Sequence, residues 1–241
     1  MLYDVSDERC MKKTVIIVAA GQGLRMGSDL PKQFIPIQGK PVLMHTVDVF
    51  YQWDAHIDLI VVLPEDHVAY WQMLCKELGY KTPHRVIFGG ETRFHSVKNA
   101  LHEVSGDGLI AVHDGVRPFV TPEVITACFS AAGQYGAAIP VVPVIESIRE
   151  INGDESRPFD RNRLRIVQTP QVFRAEVIQK AYSRKYEDRF TDDASVVEAS
   201  GTPIRLIVGT PENIKLTTST DLQYATLRMS TRTAGLFCSY Q

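Results

Sequence analysis

TVIIVAAGQGLRMG, residues 14–27, joins a β-branched run to a glycine-rich turn. The run is short, apolar and bounded by turn residues, which predicts a buried strand at 14–18. The glycines after it let backbone N–H groups approach phosphate oxygens at a helix start, with no Cβ in the way. Gly21, Gly23 and Gly27 are one residue off the dinucleotide fingerprint G-x-G-x-x-G, and no Gly-Lys-Ser/Thr follows to make a P-loop. Hydride transfer and ordinary ATPase chemistry both lose ground. The segment also brings positive charge, Arg25 in the turn and Lys32 in the following PKQF, which a triphosphate needs more than a dinucleotide does. Taken alone, the turn also fits, less well, a plain strand-to-helix connection with solvated cations.

The strand-then-helix rhythm continues to about residue 142, with further strands expected at 57–63, 85–88, 109–113 and 137–142. Between them Leu43, Val47 and Phe50 recur at helical spacing, as do Val68, Trp71, Leu74 and Leu78 before a stop at Gly79. Phe94, Val97, Leu101 and Val104 make a third stripe, and Thr121-Pro122-Glu123 reads as the start of a fourth helix. Such alternation predicts an α/β fold, a mostly parallel twisted sheet with helices on both faces. The rhythm breaks after Pro143. Residues 144–168 are polar and carry an Asn152-Gly153 turn signal, which predicts a β-hairpin arm leaving the body. Helices are then expected near 175–182, from a cap at Thr191 to a stop near Gly201, and from Ser219-Thr220-Asp221, with strands at 204–208 and 213–216. The expected organisation is one domain over 11–232, the arm inserted in it, and tails at 1–10 and 233–241.

A chain of 241 residues, 44% hydrophobic and 22% charged, has the composition of an ordinary globular protein. Its 26 basic and 28 acidic residues leave a formal net charge of −2, so no global field draws it to nucleic acid. Any anion must be met by local charge. Cys10, Cys75, Cys128 and Cys238 are far apart with no C-x-x-C pair, which argues against a zinc site or disulfide framework and for a reducing cytoplasm. MKKTVIIVAAG from Met11 imitates a secretory signal, but it flows directly into the glycine turn and is read as the first strand; no run approaches a membrane span.

Two further loops belong on the edge where an open parallel sheet binds its ligands. GGETRFHSV, residues 89–97, again follows a strand and opens a helix with glycines, although by itself it also fits a structural turn. In HDGVRP, Asp114 ends an apolar strand and Arg117 follows; an aspartate there suits magnesium held on nucleotide phosphates. His113 is assigned a structural role, since neither a metal-ligand spacing nor a nucleophile accompanies it.

AAGQGLRMG with PKQF, GGETRFHSV, HDGVRP, DRNRLRIVQTPQVF, TDDAS and NIKL occur in the order found in 2-C-methyl-D-erythritol 4-phosphate cytidylyltransferases, and residues from about 14 to 222 resemble that family. The resemblance implies a Rossmann-like nucleotidyltransferase fold whose extended β-arm mediates homodimerisation, with CTP, Mg2+ and a sugar-alcohol phosphate as partners. It implies that Arg25 and Lys32 stabilise the pentacovalent α-phosphate, while Arg161, on the arm and serving the neighbouring subunit, and Lys215 hold the acceptor phosphate. Ala19, Ala20, Gly21, Gln22, Gly23, Gly90, Glu91, Ser96, Asp114, Gly115 and Arg117 are implied on the CTP side, with Asp114 on the metal. Ser147, Asp160, Thr169 and Thr191 are implied on the acceptor side. Gly115 and Val116 stand where alanines are usual, and Ser147 stands in place of a threonine after Ile145-Glu146.

The implied chemistry is attack of an acceptor phosphate oxygen on the α-phosphorus of CTP with loss of pyrophosphate. A phosphate monoester is largely ionised near neutrality, so no general base is demanded, which matches the lack of a His-carboxylate pair. Ribitol 5-phosphate cytidylyltransferases share these loops, and the D-R-N segment of the arm favours the erythritol substrate. A non-catalytic nucleotide-sensing module would tolerate loss of Lys32, Arg161 and Lys215, all of which are present.

Overall fold

A computed structural model describes residues 11–21 and 30–233. Along them run β1 (Lys13–Val18), β2 (Pro36–Ile37), β3 (Lys40–Pro41), α1 (Val42–Trp53), β4 (Asp58–Leu63), α2 (Glu65–Glu77), β5 (Arg85–Phe88), α3 (Arg93–His102), β6 (Leu109–Asp114), α4 (Pro122–Tyr135) and β7 (Ala137–Pro143). β8 (Ile148–Asn152), β9 (Glu155–Phe159), β10 (Arg165–Val167), β11 (Gln171–Arg174), α5 (Ala175–Tyr182), α6 (Asp193–Ala199), β12 (Arg205–Val208) and α7 (Ser219–Thr233) follow. The first five expected strands all form, with ends within one residue of the sequence reading.

The main sheet runs β5-β4-β1-β6-β11-β7, with β10 and β11 end to end along one edge of β7 and β12 on its other edge. Every strand of it but β10 and β11 points the same way. The period-2 rule explains why both faces are covered. Val15 and Ile17 of β1 face a core with Leu43 and Phe50 of α1, Trp71 of α2 and Phe129 of α4. Ile16 between them faces the opposite core, with Phe94 and Val97 of α3, Ile178 of α5 and Val197 of α6. Thr121 caps α4 as its sequence predicts, and Gly79 ends α2 in the left-handed region at φ +57°.

Three details correct the sequence reading. Residues 213–216 form no strand; Leu216 N–H bonds the Val116 carbonyl, and buried side chains hold the rest. The cap of α6 is Asp192, not Thr191, because Asp192 and Ser195 bond each other's backbone N–H in a reciprocal capping box. In the arm Asn152 pairs Glu155, so the two-residue turn is Gly153-Asp154 with Gly153 at φ +60°. Residues 149–158 of this hairpin are all exposed.

Candidate active site

Beyond the carboxyl ends of β1, β4, β5 and β6 lies a cleft of about 690 Å³. Ala19, Ala20, Gly21, Lys32, Gly90, Glu91, Ser96, Asp114 and Lys215, all singled out from the sequence, meet on it. Gln22, Gly23 and Arg25 lie outside the described residues. Backbone bonds carry the sheet past its strand ends: Ala19 N–H to Val62 at 2.9 Å, Gly89 N–H to Leu63 at 2.7 Å and Gly115 N–H to Val18 at 2.9 Å. The loops that form the cleft are therefore zipped together.

Close approach explains the glycines. A Cβ on Gly89 would sit 2.7 Å from the Ala20 Cβ, and one on Gly90 would sit 2.5 Å from the His95 Cβ. A Cβ on Gly115 would lie 2.9 Å from that of Ala19, so Gly115 packs behind the nucleotide loop instead of lining the cleft. The N-terminus of α3 opens onto the cleft, and Thr92 caps it by accepting from His95 N–H. Ser96 Oγ accepts from Gly90 N–H at 3.0 Å and donates to the Thr92 carbonyl at 3.0 Å, which shapes the loop.

Asp114 is the electrostatic centre. Lys215 Nζ lies 3.1 Å and Arg117 Nε 3.0 Å from its Oδ2. Burial pushes the carboxyl up, but Lys215, Arg93 and Arg117 outweigh it and hold Asp114 well below the usual carboxylate range. Both of these contacts fall on Oδ2. Arg117 also donates to the Asn213 carbonyl at 2.7 Å and does not line the cleft; it ties HDGVRP to residues 213–216.

Behind Asp114 the polar groups are linked in a network that leaves Asn213 Oδ1 without a partner among the described residues. Thr169 Oγ1 accepts Asp114 N–H at 3.1 Å and donates to His113 Nδ1 at 3.0 Å, while His113 Nε2–H donates to the Arg117 carbonyl at 3.1 Å. Asn213 Nδ2 donates to the Thr169 carbonyl at 2.8 Å. Burial pushes His113 down to about 4, which keeps its ring neutral as this network requires. Thr169 is thus buried support for Asp114, a correction to its acceptor-side expectation: the hydroxyl is already engaged on both sides.

Ser147, Asp160 and Arg161 are exposed on the arm and do not line this cleft. Asp160 caps the turn at Arg161–Arg163 by accepting from Asn162 N–H at 3.0 Å, and Arg161 donates to the Ile145 carbonyl. Thr191 is exposed and likewise does not line the cleft.

Sequence reasoning missed Gln33, Thr92 and Arg93, which line the cleft, and Asp193, which holds Arg93. The Arg93 guanidinium makes paired bonds of 2.9 and 2.6 Å to Asp193, which is fully buried and also accepts the Tyr182 O–H at 2.6 Å. The signal lay in TDDAS and GGETR, two motifs whose arginine and second aspartate find each other only in three dimensions.

The family model described as IspD, 2-C-methyl-D-erythritol 4-phosphate cytidylyltransferase, matches residues 13–231. A protein of that description from Bacteroides thetaiotaomicron is 54% identical over 213 residues, covering 88% of this chain and 97% of its own. One from Porphyromonas gingivalis is 52% identical over 221 residues, covering 91% and 98%. The crystal structure of the Thermus thermophilus enzyme of that description superposes with a TM-score of 0.72 at 30% identity, over 91% of this chain and 100% of its own. With these matches spanning the same loops that converge on Asp114, the chain belongs to the 2-C-methyl-D-erythritol 4-phosphate cytidylyltransferase family.

Proposed function

We propose that the protein transfers CMP from CTP to 2-C-methyl-D-erythritol 4-phosphate, giving 4-diphosphocytidyl-2-C-methyl-D-erythritol and pyrophosphate in non-mevalonate isoprenoid precursor synthesis. The supporting observation is one cleft that gathers Lys32, Lys215 and the Asp114 carboxylate, held ionised by the cations around it, beside glycine loops. An oxygen of the acceptor phosphate attacks the α-phosphorus in line, the bond to the bridging oxygen breaks, and the electron pair leaves with pyrophosphate. Negative charge grows on the α-phosphate oxygens and the leaving group. Lys32, with Arg25 from the glycine turn, neutralises the α-phosphate, and Lys215 shifts from Asp114 to hold the attacking phosphate. The cytosine and ribose lie against the backbone of residues 19–23 with Gly90 and Ser96, and Glu91 borders the same space.

Among the described residues no group of three acidic, histidine or cysteine side chains could hold a metal unaided. A magnesium ion that arrives on the triphosphate needs only one protein carboxylate at the strand end, and Asp114 would hold it. Such an ion supplies neutralisation of phosphate charge.

The reading includes a homodimer in which the arm delivers Arg161 to the partner's acceptor phosphate. Its support is the exposure of Ile145, Ile151, Ile166 and Val167 along the arm and its base, at 72%, 75%, 48% and 40%. No described helix is long and apolar enough to cross a membrane, and Cys75 and Cys128 form no disulfide; a cytoplasmic location is part of this reading.

Purified protein incubated with CTP, magnesium and 2-C-methyl-D-erythritol 4-phosphate should release pyrophosphate, stop on chelation by EDTA and resume with magnesium. Faster release with ribitol 5-phosphate would reassign the acceptor, and release with neither would remove the enzyme reading.

A further inference from the structure

We infer that Gln33 and Phe34 clamp the turn carrying Lys32 between the nucleotide loop and α2, making Gln33 a positioning residue for the transfer. This rests on the role given to Lys32 above. Gln33 borders the cleft yet is only 1% exposed. Its amide donates to the Ala19 carbonyl at 3.1 Å and, at a longer 3.5 Å, to that of Gly21. A buried amide is costly unless bonded, so these contacts fix where the PKQF turn meets the glycine loop.

The neighbouring side chain is held on another body. Phe34, 2% exposed, meets the rings of His67 and Tyr70 edge-on at 5.6 and 5.2 Å and stacks on Trp71 at 6.3 Å, all three on α2. The backbone is closed by Phe34 N–H to the Pro31 carbonyl at 2.9 Å and Ile35 N–H to that of Lys32 at 3.3 Å. Lys32 therefore leaves a single helical turn whose next two side chains are both immobilised. A flexible lysine stabilises a developing charge best when its root is fixed before the reaction, and Gln33 supplies that fixture by bonding protein carbonyls. It acts through Lys32 and does not touch the reacting atoms.

The test is a double-mutant cycle with Lys32→Ala, using CTP and the erythritol phosphate. Gln33→Met keeps length and volume but removes both donors. It should lower kcat about 10- to 30-fold with KM for CTP changed less than about threefold, and cost less than about twofold more in the Lys32→Ala background. Phe34→Leu, which loosens the other side, should show the same loss of effect once Lys32 is gone, and serves if Gln33→Met proves too unstable. Wild-type kcat in Gln33→Met, an equal fold-loss with and without Lys32, or a rise in KM alone would overturn the clamp. A wild-type enzyme that releases no pyrophosphate would instead overturn the reaction, and the clamp's catalytic role with it.

Discussion

Both the rim of the cleft and the arm are rich in arginine and acid, but they are built in opposite ways. At the rim, Arg93 meets a fully buried Asp193, and Asp114, its side chain 11% exposed, holds two cations. On the arm, Arg157 and Glu150 pair at 78% and 43% exposure, and the hairpin has no buried residue between 149 and 158. Buried pairs are costly to assemble and very costly to break singly, whereas exposed ones barely register. The rim is thus a preorganised electrostatic device, and the arm is a structure that lacks a core of its own.

The largest effect should come from breaking the rim. Asp193→Ala leaves the buried Tyr182 O–H without its acceptor and the partly exposed Arg93 guanidinium without its carboxylate, and should destabilise folding by about 3–5 kcal/mol in urea unfolding. A loss under about 1 kcal/mol would mean that the pair is as solvent-screened as those on the arm, and the contrast would fail.

Next comes the relation between the two regions. Lys32→Ala and Arg161→Ala should each slow turnover, the first by about 10²- to 10³-fold if Lys32 acts like an oxyanion donor. If the arm of one chain completes the cleft of another, the two lesions fall in different chains. Mixing the two variants, with exchange of subunits, should then restore about a quarter of wild-type activity, since half the dimers are mixed and each carries one intact site. No recovery after verified exchange would place Arg161 in service of its own chain.

Acid should reveal a smaller difference. His113 titrates near 4 in the fold because burial disfavours its charge, and near its ordinary value of 6.5 when unfolded. Between these values the unfolded chain binds the extra proton, so stability falls as pH drops from about 6.5 toward 4. Urea unfolding at pH 5 should be about 2 kcal/mol easier than at pH 7 on this account, and His113→Gln should lose most of that dependence. An unchanged dependence in His113→Gln would assign it to other groups.

The sheet was legible because β-branched runs alternate with helical stripes, and period 2 leaves both strand faces apolar. Val15, Ile16 and Ile17 carry that message in three consecutive residues. The cleft was legible wherever one loop carries both glycine and charge, as at Gly90 and Asp114. It was not legible where function is shared between distant segments. Arg93 and Asp193 are a hundred residues apart, and Gln33 gains meaning only from the Ala19 carbonyl it meets. One hydroxyl was misplaced for the same reason. The resemblance put Thr169 on the acceptor side, yet the fold turns it inward onto Asp114 and His113. Residues 213–216 read as a strand from their apolar pattern, but they are anchored by Asn213 and Arg117 side chains instead of a ladder.

The smallest expected effect is the one that reports on the arm's surroundings. Glu150→Ala removes the partner of Arg157 on a hairpin open to water, where an ion pair contributes less than about 1 kcal/mol and salt weakens it further. In a free monomer the urea midpoint should hardly move. If a second copy covers this hairpin with its exposed Ile151, as the proposed dimer requires, burial there would change the dielectric around the same pair. Glu150→Ala should therefore leave folding of a dilute monomer intact while weakening self-association, measured by sedimentation across a range of concentrations. A variant that unfolds more easily at every concentration would show that the pair already stabilises the single chain, and the division between a rigid rim and a coreless arm would have to be given up.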